Sequence, residues 1–464
     1  MESKKINRSI FALASLVGCM AACSQGASDK DNSEKVNLLV IEPQHFHAAL
    51  VQKYAHAEID SVVHLFADTD TAVEGYTNLI EQYNSRETDP TNWKIKTYYG
   101  NDFLDKAFVG ETGNVVVLAG DNQKKIDYMV SAVTHGKDIF ADKPLVIETK
   151  GYQKLKGLLE EDSKGTSLVY DIMTERYDVK NQVVKALINN QTFSGGMLAD
   201  DQKASIQFSS VHHFIKEVSG NPLIRPVLFY NTAQQGEGLV DVTTHYVDLV
   251  QWMLSSEQPI DIAKDVKLNR SVRWKTTLTK AEFTRSTNLP DYPTALSAFV
   301  EENNSLGVFS NGKIEYVFKD VPVSISVKWN VESKDGKGDQ FHASFLTKQF
   351  KIEIKPDEVG KAAVFVTPNQ DDNEFAGRLN DALASVEDLP GLKFEKTSSG
   401  AYKILIPDNL YLSHEDHFAK VLNQFLQYRK EGTLPDWEKS FMLAKYYLTT
   451  QALDQAKTVE NEEI

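Results

Sequence analysis

Between Gly236 and Trp252 the chain reads GEGLVDVTTHYVDLVQW, and the side chains there that can handle a proton are Asp241, His245 and Asp248. They recur at i, i+4 and i+7, one face of an α-helix, while Val242, Tyr246, Leu249 and Met253 form an apolar stripe beside them. A carboxylate four residues from an imidazole can hold that ring in one orientation, which general acid–base chemistry asks of a histidine. The same pair would serve equally as a satisfied polar contact in a core, and the stretch alone leaves both roles open. Gly236 and Gly238 give this helix a flexible approach.

Proton chemistry needs a ligand held in place, and the first part of the chain has the elements to do so. Apolar runs at Val36–Ile41, Val62–Ala67, Ile95–Tyr99, Val115–Ala119, Asp138–Ala141 and Ser167–Tyr170 alternate with helical stretches, among them Gln123–Thr134 and one running through Leu159. EPQHFHAALVQKYAHA, after the first run, reads as a loop opening a helix. Strand–helix alternation without low complexity predicts an α/β Rossmann domain, a doubly wound parallel sheet whose ligands sit at the carboxyl ends of the strands. Glu42, Asp68, Gly120 and Asp142 fall at those ends. From Pro226 the period changes to two. Val227–Tyr230, Val266–Leu278, Ser297–Phe318, Val321–Val331, Gln340–Lys355 and Ala362–Thr367 predict an α+β domain with an open, mainly antiparallel sheet, with turns at Ser310-Asn311-Gly312 and Lys334-Asp335-Gly336. Asp371–Pro407 follows neither pattern.

The chain has 464 residues, enough for a large core, with an ordinary apolar fraction of 41%. Its formal charge of −15 excludes a nucleic-acid surface and favours small-molecule partners. MESKKINRSI followed by FALASLVGCMAAC has the basic and short apolar regions of a secretory signal. Both cysteines lie there, and Met20-Ala21-Ala22-Cys23 before the polar SQGASDKDNSEK resembles a bacterial lipoprotein signal with lipidation at Cys23. The mature chain would then have no thiol left for a disulfide. The organisation expected is a signal over residues 1–22, a tether over 23–35, a nucleotide-binding domain over 36–175 and a C-terminal domain over 176–464, with a helical return at about 413–457. The localisation expected is the cell envelope, periplasm or outer membrane, with membrane contact only through the lipid.

The segment NVVVLAGDNQKKIDYMVSAVTHGKDIFADKPLV resembles the fourth βαβ unit of the oxidoreductase family named after glucose–fructose oxidoreductase, inositol dehydrogenase and the rhizopine-catabolism protein. Asp142-Lys143-Pro144 is similar to that family's Glu-Lys-Pro signature, and Met173-Thr174-Glu175-Arg176-Tyr177 to its strand ending near an arginine. Gly236–Trp252 resembles its Gly-Gly…Asp…His…Asp helix, and Phe418–Ala456 its closing helices. The resemblance implies NAD as cofactor, a sugar or glycoside as substrate and a homo-oligomer. It also implies cofactor contacts from Gln44, His45, Phe46, Asp68, Gly120, Asn122, Asp142, Lys143 and Arg176. The first turn departs from the family. A dinucleotide site wants G-x-G-x-x-G, and Glu42, Gln44 and His47 occupy the glycine places here. His45 and His47 offer donors to phosphate instead, and Asp68 suits ribose hydroxyls and so NAD over NADP.

The reading that follows is an exported NAD-dependent oxidation of a secondary hydroxyl, C3 favoured, on a cofactor that stays bound and exchanges between an alcohol and a ketone. Lys143 is the cation at the hydroxyl, His245 the base, Asp241 its orienting partner, and His213 and Lys216 contact substrate. Two alternatives stand beside it: an NAD-dependent glycoside-cleaving enzyme of the same superfamily, and a non-catalytic lipid-anchored sugar-binding protein. No metal is expected. His212 and His213 are adjacent and would face opposite sides of a strand, whereas His414 and His417 sit in a Ser413-x-x-Asp416 capping box that accounts for them.

Overall fold

The computed structural model describes residues 35–462 apart from 72, 111, 162–166, 200–202, 219–220 and 334–337. The signal segment, Cys23 and the Lys334-Asp335-Gly336 turn lie outside the described residues.

Six parallel strands form the first sheet: β1 Leu38–Ile41, β2 Val62–Ala67, β3 Lys94–Tyr99, β4 Val115–Leu118, β5 Asp138–Asp142 and β6 Val169–Ile172, in the order β3-β2-β1-β4-β5-β6. Every residue of β1 and β4 is buried, as expected of short apolar runs covered on both faces, whereas β3 is largely exposed at the edge. The order reverses between β1 and β4, which pair in register from Leu38–Val115 to Ile41–Leu118. Their carboxyl ends therefore open one crevice, where such sheets bind ligands. The helix after β1 is a single turn, His47–Leu50.

The second sheet is mixed and mostly antiparallel, with ten strands among the described residues. Its central strand, Ile206–Ile215, runs parallel to Val321–Glu332 and antiparallel to Gln340–Leu346. The period of two that is expected from Pro226 onward leaves that strand out, because SSVHH interrupts its apolar alternation. Two further expectations are corrected. Val227–Tyr230 is a 3-10 turn rather than a strand. Ser310-Asn311-Gly312 lies inside the strand Leu306–Phe318, at a register shift opposite Trp274–Thr276. There Asn311 Nδ2 donates to the Trp274 carbonyl (3.0 Å) and its Oδ1 accepts from Trp329 N (2.6 Å), so a turn-forming residue serves a β-bulge. Asp371–Pro407 contains a helix, Phe375–Ala384, and a hairpin, Lys393–Lys396 with Tyr402–Leu405.

The helical return is two helices, His414–Glu431 and Asp436–Asp454. Phe418, Val421, Phe425 and Tyr446 pack into the core of the parallel sheet, whereas Phe441, Ala444 and Leu448 belong to the core of the second sheet. The last helix thus has a face in each core.

Candidate active site

β5 carries Asp142 to the carboxyl end of the sheet, and Lys143-Pro144 continues from it. The turn is fixed from below by Lys125, on the helix Asn122–Thr134. This lysine is 1% exposed and spends its three N–H bonds on Asn122 Oδ1 (2.6 Å), the Asp142 carbonyl (2.6 Å) and the Pro144 carbonyl (2.8 Å). Burial pulls its pKa down to about 8 against the opposing pull of Asp142.

Lys143 Nζ lies 2.5 Å from Asp241 Oδ1, with both side chains mostly buried. Asp241 sits in the turn ahead of the helix Thr243–Ser255, and its position depends on close packing of the preceding loop. A Cβ on Gly238 would stand 2.2 Å from the Ser310 carbonyl, and one on Gly312 would stand 2.4 Å from Leu239. Gly238 is thus required for contact with the second sheet rather than for flexibility, while Gly236 holds a positive φ of 98°.

His245 follows in the first turn of that helix. Its Nδ1 is buried with no hydrogen-bond partner. Burial, reinforced by the charge of Lys143, holds its pKa well below the ordinary value, so the ring is neutral at neutral pH. The expected Asp241–His245 pairing is replaced by Asp241–Lys143. Asp248, placed by spacing on the same face, points the other way. It is 0% exposed and accepts from Arg176 Nε (2.7 Å), Arg176 Nη2 (2.6 Å) and Lys445 Nζ (2.8 Å).

The turn after β1 brings two more imidazoles. His45 Nδ1 and His47 Nδ1 lie 3.1 and 3.0 Å from the same oxygen, Asp142 Oδ2. Burial depresses His47 to about 4. Asp142 stays ionised: burial pushes its carboxyl up, but the contacts with His47 and His45 outweigh that and hold it well below the usual range. Glu42, with φ 40°, is buried, and its carboxylate accepts from Tyr128 Oη (2.5 Å) with Lys124 at 3.6 Å.

Lys143, Asp241 and His245 line one cavity of about 450 Å³ together with His45, His47 and Asp142. Phe46, Gly120, Asn122 and Lys216 also line it. Gln44 and Asp68 lie outside its lining, Asp68 being exposed at the end of β2. His213, expected at the substrate, is 3% exposed and turned onto Asp339 (3.2 Å), while its neighbour His212 reaches the cavity and stacks on Trp329 at 4.8 Å. Arg176, expected at the cofactor, is in the interior, paired with Asp248 and Glu438. Spacing along the chain does not mark Trp329 or Lys125, and it shows His212 only as one of an adjacent pair and His414 only as part of a cap. That cap is present, with Ser413 Oγ accepting from Asp416 N, yet the His414 ring also enters the cavity.

Residues 184–457 match the family described as "Putative oxidoreductase C terminal domain". No curated protein matches the chain. A crystal structure from Parabacteroides merdae ATCC 43184, bearing the same oxidoreductase description, is 36% identical and covers 91% of this chain and 98% of its own, with a TM-score of 0.88. More distant structures share the fold. A 3-ketoreductase from Actinomadura kijaniata, in complex with NADP and TDP-benzene, is 11% identical with a TM-score of 0.56, covering 92% of this chain and 100% of that one. A protein of gentamicin A biosynthesis in complex with NAD is 14% identical with a TM-score of 0.52, covering 90% and 95%. With this C-terminal domain over more than half its length and a near full-length relative at that identity, the chain belongs to the oxidoreductase family that carries it.

Proposed function

We propose that the protein is an exported nicotinamide-dependent oxidoreductase acting on a secondary hydroxyl of a sugar or glycoside, with C3 the favoured position. The observation that carries this reading is the meeting of Lys143, Asp241 and His245 in one cavity at the carboxyl ends of the parallel strands. Distant structures of the same fold with NADP or NAD bound, one of them a 3-ketoreductase, support it.

The residues fit the cofactor by a changed route at the first turn. Glu42 would repel a pyrophosphate if its charge faced the crevice, but Tyr128 and Lys124 take that charge up. Gly120 keeps the close backbone approach, since a Cβ there would stand 2.3 Å from the Glu42 carbonyl. Asp68, exposed at the end of β2, suits the adenosine ribose and favours NAD. Bound, the nicotinamide supplies a hydride acceptor. The chain's own part is proton chemistry. Lys143, held by Asp241, donates to the substrate oxygen and stabilises negative charge on it, and neutral His245 takes the hydroxyl proton. Free dinucleotide is scarce outside the cytoplasm, so the reading includes a cofactor that stays bound while an alcohol and a ketone exchange on it.

Purified protein should release NAD on denaturation and show reduced-nicotinamide absorbance when given donor glycoside alone, losing it on addition of a keto-sugar. Protein that contains no nucleotide and takes none up would refute the proposal. Anchoring through Cys23 belongs to the same proposal: fatty-acid labelling should mark the wild type and not Cys23→Ser, and equal labelling of both would remove it.

A further inference from the structure

We propose that His45, His47 and Asp142, closed by His414, form a binding site for a divalent first-row transition-metal ion of the zinc class. The ligand-type atoms of the first three lie within 4.8 Å of one another. Asp142 is 4% exposed, and both hydrogen-bond partners of its Oδ2 are imidazoles. The nearby cations are otherwise engaged, Lys143 on Asp241 and Lys125 on the Asp142 carbonyl rather than its carboxylate. A buried carboxylate whose neighbours are ligand-type imidazole nitrogens is a donor set that a cation can complete.

The fourth group strengthens the case. His47 turns Nδ1 toward Asp142 Oδ2, which leaves its Nε2 facing His414 Nε2 at 3.4 Å. This is long for a hydrogen bond. It is the edge of a tetrahedron around an ion bonded at about 2.0–2.1 Å to each nitrogen, for which the nitrogens stand about 3.4 Å apart. Imidazole with carboxylate suits zinc, iron or nickel better than calcium or magnesium. The cluster borders the cavity that holds Lys143 and His245, so an ion bound there would lie beside a ligand in that cavity. The proposal stands independently of the nicotinamide reading.

Chelator-stripped full-length protein titrated with Zn²⁺ should bind one ion per chain, and with Co²⁺ should give the visible bands of a low-coordinate site. His47→Ala should weaken zinc binding by about 100-fold and His414→Ala by at least about tenfold. His414 is exposed at a helix start whose cap is Ser413, so its replacement leaves folding intact. His212→Ala, in the same cavity outside the cluster, should leave zinc affinity unchanged. Substoichiometric binding by the wild type, or equal affinity in wild type and His414→Ala, would overturn the site. Nucleotide content measured on the same samples separates the two proposals, because loss of metal with nucleotide retained counts only against this one.

Discussion

One helix, Thr243–Ser255, carries charge chemistry into two regions that handle it in opposite ways. Toward the interior, Asp248 joins a closed network. Arg176 forks onto Asp248 and Glu438, Lys445 bridges Asp248 (2.8 Å) and Asp171 (2.7 Å), and Tyr446 donates to Asp171 (2.8 Å). The five charged members are 0 to 7% exposed. Three carboxylates face two cations, and burial raises the pKa of Glu438, which moves the set toward neutrality. Toward the cavity, one turn earlier, His245 leaves a buried nitrogen without a partner. Groups whose bonding is saturated hold the fold, whereas a polar atom left open in a cavity is available to a ligand. Similar residue types at helical spacing thus have different uses, and the partner set decides which.

The sharpest break between the regions should come from activity. Lys143→Ala and His245→Ala should each reduce the sugar half-reaction by about 10²- to 10⁴-fold in protein that still folds, as for loss of a proton-transfer group. Near-normal rates in either would move the chemistry elsewhere. Asp248→Ala should do the reverse on stability, costing about 3–5 kcal/mol in urea unfolding because Arg176 and Lys445 lose a buried partner; a cost below about 1 kcal/mol would show that the network is not dry. A smaller effect separates the regions by pH. His47, neutral in the fold at about 4 against an ordinary 6.5, takes up a proton on unfolding, and His245 is shifted in the same direction. Stability from these rings is complete above about 6.5 and is lost as the pH falls toward 4. His47→Gln should flatten that part of the stability curve, while the stability from Asp142, held low, is present throughout that window and is lost only below it. The smallest effect is at the far strand end, where Asp68→Ala should weaken nucleotide retention by about 1–3 kcal/mol, as for a charge-assisted hydrogen bond. NADP in place of NAD in the extract would refute that placement.

The parallel sheet is legible in the sequence because its inner strands are short, mostly apolar runs, and β1 and β4 are buried throughout. Ile206–Ile215 is not, since Ser209, Ser210, His212 and His213 interrupt its apolar positions. Asn311-Gly312 misleads for a physical reason: the residues that favour a turn also accommodate a bulge and a neighbouring backbone, and only tertiary contact distinguishes them. In the site, Lys143, Asp241 and His245 can be named from the sequence, but their pairing cannot, because Asp241 meets Lys143 across 98 positions. The imidazole cluster is less legible still. Its contacts span 95 to 367 positions, and spacing along the chain carries no trace of them.

The last helix supplies both Glu438 and Lys445 to the network while its apolar residues belong to two cores. Swinging the two sheets apart would strand buried charges at a cost of several kcal/mol, more than a small ligand readily repays. The cleft is accordingly a vise set when the chain folds, not a jaw that closes on arrival. Selectivity must then reside in the fixed outline of the cavity and in exposed lining side chains such as Phe46, which can turn without disturbing either core.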